Sequence, residues 1–89
     1  MKRLNMVIYG EVQGVGFRHF VQKQAISLGL KGYVQNVTGA VEIVAEGYDD
    51  KLQELVRACK KGPIFSQVVD EEHSIVETKG EFKDFGIRH

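Results

Sequence analysis

Residues 3 to 21 read Arg3-Leu4-Asn5-Met6-Val7-Ile8-Tyr9-Gly10-Glu11-Val12-Gln13-Gly14-Val15-Gly16-Phe17-Arg18-His19-Phe20-Val21, and two periods meet in them. Through residue 9 the side chains alternate, with Leu4, Met6 and Ile8 set against Asn5, Val7 and Tyr9, the period of a β-strand. From Phe17 the apolar positions fall at Phe17, Phe20, Val21, Ala25 and Leu28, the stripe of an amphipathic helix that Gly29 is suited to end. Between the two periods, Gly10, Gly14 and Gly16 mark a loop that needs positive φ or room for a close approach.

Working outward, a second strand is expected at about 30 to 36, a tight turn at Thr38-Gly39 and a third strand at 40 to 46. In the third strand Val41, Ile43 and Ala45 alternate with Glu42, Val44 and Glu46, and the short connection makes an antiparallel hairpin. A second helix carries the stripe Leu52, Leu55, Val56 and Cys59. Asp49 or Asp50 can cap it, Gln53 can complete a capping box from Asp50, and Lys60 and Lys61 suit the end before Gly62-Pro63. Two more strands are expected near 67 to 76 and 82 to 88, with Phe85 and Ile87 alternating in the last. The order predicts an α+β fold, the ferredoxin-like α/β sandwich: βαββαβ plus a C-terminal strand, in an antiparallel five-stranded sheet with two helices on one face. The other face is left open as a possible partner surface.

The chain has 89 residues, 43% of them hydrophobic and 27% charged, as in an ordinary globular domain, so a single domain over residues 1–89 is expected. Twelve basic side chains balance twelve acidic ones, which argues against nucleic acid or an anionic membrane as partner and requires any anion site to be built locally. Cys59 is the only cysteine and reads as a small buried hydrophobe in a reducing compartment. Asn5, Tyr9 and Glu11 interrupt any signal-peptide core, no run reaches membrane-spanning length, and a cytoplasmic location is expected. The sequon Asn36-Val37-Thr38 then has no route to glycosylation.

A glycine-rich turn running from a strand into a helix is an anion site in physical terms. The first helical N–H groups lack intrahelical partners, the helix dipole adds partial positive charge, and loop N–H groups can form a nest. Arg18 opposes that dipole in the first turn, which a bound anion would explain, and its guanidinium can add a planar fork of donors. The alternative, that the glycines only make a turn and Arg18 is a solvated charge, stays open on this loop alone. Phe17 and Arg18 after Gly16 exclude a Walker A loop, and His19 stands where the dinucleotide pattern needs glycine, so a small phosphoryl group fits better than a nucleotide.

The string Gly10-x-Val12-Gln13-Gly14-Val15-Gly16-Phe17-Arg18 resembles the signature of the acylphosphatase family without a gap. Gly32-Tyr33-Val34-Gln35-Asn36 with Val41-Glu42-Ile43-Val44-Ala45-Glu46-Gly47 resembles its second motif, and Gly80-Glu81-Phe82 through Phe85-Gly86-Ile87-Arg88 its last strand. The resemblance implies hydrolysis of acyl phosphates to a carboxylate and inorganic phosphate without metal, cofactor, covalent intermediate or obligate protein partner. Phosphate is then product and competitive inhibitor. It places the catalytic arginine on Arg18, the catalytic asparagine on Asn36 and the backbone phosphate cradle on Gln13, Gly14, Val15, Gly16 and Phe17. Three positions depart from the family pattern. Gln35 replaces the usual Lys or Arg, the turn Val37-Thr38-Gly39 is about one residue shorter, and His89 stands in place of a terminal tyrosine.

Other chemistry finds less support. His19 is expected as a surface residue near the helix start, His73 far from it, and no Cys/His spacing suggests a metal site. Ser27, Ser66 and Ser74 lack a nucleophile elbow, and Asp70-Glu71-Glu72 reads as a solvated strand edge. Taken alone, Asn36 could simply support its turn. A regulatory module binding phosphate or carboxylate without turnover is the competing function, whereas RNA binding lacks stacking aromatics and a basic excess.

Overall fold

The computed structural model describes residues 1–89. Strands β1 (Lys2–Glu11), β2 (Lys31–Val37), β3 (Ala40–Gly47), β4 (Gln67–Glu77) and β5 (Phe85–Arg88) form one sheet in the order β4-β1-β3-β2-β5, with helices α1 (Phe17–Ser27) and α2 (Asp49–Lys61). Leu4, Met6 and Ile8 of β1, Val34 of β2 and Val41, Ile43 and Ala45 of β3 are buried against Phe17, Val21 and Ala25 of α1 and Leu52, Leu55, Val56 and Cys59 of α2. Both helical stripes therefore face one side of the sheet, as their spacing requires. No helix is long and apolar enough to cross a membrane.

The expectation of an antiparallel sheet is corrected at one edge. β1, β2, β3 and β4 pair antiparallel, but β5 runs parallel to β2, with Gly32 opposite Phe85 and Gln35 opposite Arg88. The cause is where the chain emerges from β4. Glu77 pairs with Lys2, which also pairs with Gly47, so β4 ends at the edge of the sheet where β2 begins. Residues 78–84 cross that edge, Asp84 accepts a hydrogen bond from Gly32 N–H (2.8 Å), and β5 must then run in the direction of β2. Its far end arrives beside the end of β2, with Arg88 opposite Gln35.

The crossing segment also explains a buried charge. Alternation puts Glu46 on the open face with Val44, yet it is only 1% exposed. Its carboxylate accepts hydrogen bonds from Arg3 Nε (3.0 Å) and Nη2 (2.6 Å), Thr78 Oγ1 (3.1 Å), and the backbone N–H groups of Glu81 (2.8 Å) and Phe82 (3.2 Å). Residues 82–84, expected within the last strand, are instead part of this cover, with Phe82 edge-on to Tyr33. The expected capping box is absent as well. Tyr48 is the N-cap of α2 without a side-chain cap, and Asp49 and Asp50 lie in its first turn, where carboxylates favour the dipole.

Candidate active site

β1 and α1 hand the chain over through residues 12–16. At Gly10 the pairing with β4 shifts register, and a Cβ there would lie 2.1 Å from the Gln67 carbonyl oxygen, so the bend into the loop needs glycine. Val12 is buried and anchors the loop to the core. Gly16, at φ 77°, is the N-cap of α1 and carries no side chain to cap it. The first helical N–H with a carbonyl partner is that of Phe20, 3.0 Å from Gly16 O. The N–H groups of Phe17, Arg18 and His19 form no backbone hydrogen bond, leaving donors and the positive end of the dipole directed outward.

Asn36 reaches the same place by strand periodicity. It follows buried Val34 by two residues, so it points to the helix side of the sheet, at the end of β2 nearest the start of α1. Gly14, Gly16, Phe17, Arg18, His19 and Asn36 line one hollow of about 100 Å³, together with Val12. Of the residues expected from sequence, Arg18 and Asn36 thus meet across the loop, as do Gly14, Gly16 and Phe17; Gln13 and Val15 lie in the loop outside the lining.

Arg18 is held from the far edge of the sheet. Its Nη1 donates to the Arg88 carbonyl oxygen (3.2 Å) and to His89 Nδ1 (3.2 Å). The ring of His89, which stands where the family pattern has tyrosine, thus contacts Arg18. Gln35 donates to Glu42 Oε1 (2.6 Å) on the open face, away from this hollow. Turn support by Asn36 is not seen as a hydrogen bond. The carbonyls beside the turn accept from Gln13 Nε2 instead, Val37 O at 2.7 Å and Ala40 O at 2.8 Å.

Three features of this region go beyond the sequence reading. His19 lines the hollow; its place next to Arg18 in the first turn was the available signal. The Gln13 amide and the Arg88 carbonyl left no signal, because their partners lie 24 and 70 residues away. Cys59 is no candidate nucleophile: burial pushes its thiol pKa up to about 12. His73 sits on β4 with Glu71, 2.8 Å away, remote from the hollow.

The family model described as Acylphosphatase matches residues 4–87. An acylphosphatase of Caldanaerobacter subterraneus subsp. tengcongensis is 42% identical over 87 residues, covering 97% of each chain. One of Syntrophotalea carbinolica is 47% identical over 89 residues, covering 97% of this chain and 95% of its own. The crystal structure of acylphosphatase from Bacillus subtilis superposes with a TM-score of 0.96 at 40% identity, covering both chains completely. With the signature loop, the mixed five-stranded sheet and full-length similarity in agreement, the chain belongs to the acylphosphatase family.

Proposed function

We propose that the chain hydrolyses the carboxyl-phosphate bond of acyl phosphates to a carboxylate and inorganic phosphate, with Arg18 as phosphoryl clamp and Asn36 as the group that positions water. The observation that carries this reading is the meeting of Arg18, Asn36 and the unpaired N–H groups at the start of α1 around one hollow. The phosphoryl oxygens are negatively charged, and backbone donors, helix dipole and guanidinium all favour them there. Asn36 supplies a carbonyl acceptor and amide donors, enough to hold a water with a lone pair aimed at phosphorus. Water oxygen forms the new bond to phosphorus as the bond to the acyl oxygen breaks, and the carboxylate leaves with the electron pair. That leaving group is stable as an anion, so positioning and charge stabilisation suffice without a protein acid.

In this reading residues 1–89 work as one domain in the cytoplasm, with no cofactor, and inorganic phosphate competes with substrate. Phosphate release from a synthetic aromatic acyl phosphate, measured with and without chelator, tests it. Turnover indifferent to chelator is expected. Phosphate binding without turnover would make the site a regulatory anion-binding module instead.

A further inference from the structure

We infer that the Gln13 side chain is a positioning residue that sets the distance between the phosphate cradle and Asn36, an inference that rests on the roles proposed for both. Gln13 lies in the loop just before Gly14, and its Nε2 donates to Val37 O at 2.7 Å and Ala40 O at 2.8 Å. These two carbonyls flank the turn at Thr38 and Gly39, and Val37 and Ala40 are the last pair of the β2–β3 ladder. Val37 directly follows Asn36. Both amide hydrogens of an otherwise exposed side chain are thus committed to the hairpin that carries Asn36.

No other side-chain hydrogen bond joins residues 12–19 to that hairpin, since Arg18 turns to Arg88 and His89. Two bonds from one planar amide to two carbonyls fix orientation as well as distance. A phosphoryl group held by the loop and a water held by Asn36 react only when placed in line within a few tenths of an ångström, and a shift of about 1 Å can cost on the order of a hundredfold. Glutamate at 13 would keep the length of the side chain but offer no donors and face two carbonyl oxygens with negative charge. Alanine would release the loop from the hairpin.

The test is a double-mutant cycle on Gln13→Ala and Asn36→Ala, read by turnover of the synthetic aromatic acyl phosphate, phosphate affinity and melting temperature. Gln13→Ala is expected to lower kcat about tenfold or more, with phosphate affinity changed no more than about threefold, because the cradle is intact. In the Asn36→Ala background the same substitution should change kcat less than about twofold, since no positioned water remains to misplace. Gln13→Glu should lose at least as much kcat as Gln13→Ala. A Gln13→Ala penalty of equal size in both backgrounds, a folded Gln13→Ala protein with parental kcat, or full turnover by Gln13→Glu overturns the inference and leaves the role of Asn36 standing. Near-parental turnover by Asn36→Ala alone overturns both.

Discussion

The guanidinium of Arg18 donates to the carbonyl of Arg88, 3.2 Å away and at the end of the one strand that pairs in parallel. Arg18, the proposed phosphoryl clamp in the first turn of α1, is thereby braced by a strand that the chain reaches only after crossing the sheet. The brace depends on β5 staying docked, through Phe85, which is 5% exposed, and through Gln22 Nε2 donating to Phe85 O at 3.1 Å.

Phe85→Ala should therefore affect more than stability. The cavity left in the core is expected to cost about 3–4 kcal/mol. At temperatures where the variant is still folded by circular dichroism, KM for the acyl phosphate should also rise as the end of β5 frays. Unchanged KM in the folded variant would show that the Arg88 carbonyl does not matter for Arg18.

Replacing Arg18 removes a charged fork of donors from the proposed anion site. Arg18→Ala should lose on the order of a hundredfold or more in kcat/KM, with weaker phosphate binding. Arg18→Lys should recover little, because a point charge cannot reach substrate and the Arg88 carbonyl with the same geometry. Activity of Arg18→Ala within a few-fold of the parent would remove it from the mechanism.

For Asn36 the expected effect is on turnover rather than affinity. An interaction realised mainly in the transition state lowers kcat when lost and spares ground-state binding. Asn36→Ala should lose about a hundredfold in kcat and still bind phosphate. Asn36→Asp should fail as well, its carboxylate repelling phosphoryl oxygens. Because the Asn36 side chain makes no hydrogen bond to the turn, Asn36→Ala should melt within a few degrees of the parent, a control by thermal unfolding.

Inorganic phosphate should inhibit competitively and raise the melting temperature. A ligand that binds only the folded state stabilises it by about 2.7 kcal/mol at a hundredfold excess over Kd. The shift should disappear in Arg18→Ala and persist in Asn36→Ala. Calorimetric titration of the three proteins with phosphate checks both statements.

Acid stability should depend on Glu46. Burial raises its carboxyl pKa, but hydrogen bonds from Glu81 N–H, Arg3, Phe82 N–H and Thr78 outweigh burial, and the net direction is down from 4.5. A folded pKa below the unfolded one means the stabilisation is present above about pH 4.5 and is lost as pH falls through the lower folded value. Glu46→Gln should remove about 2–3 kcal/mol at neutral pH, as expected for charge-assisted bonds to a buried group. Its urea midpoint should fall less than that of the parent between pH 5 and pH 3; equal pH dependence in the two proteins would refute the assignment.

What the sequence determined by itself is local. Alternation at Leu4, Met6 and Ile8 and the stripes from Phe17 and Leu52 follow from the 2.0 and 3.6 residue periods, so they could be read before any partner was known. The same locality made the segment from Gly10 to Arg18 legible as a glycine-rich turn from a strand into a helix start, on which the proposed anion site rests, because strand, glycines and helix start are contiguous. Only the tertiary structure decided the direction of β5, since a strand's orientation depends on which edge of the sheet the chain leaves and how its connection crosses. That crossing also buried Glu46 against alternation and brought the Arg88 carbonyl to Arg18. The Gln13 amide likewise found its carbonyls only because β1 and β2 end side by side around β3, a juxtaposition that pairing creates and spacing along the chain does not reveal.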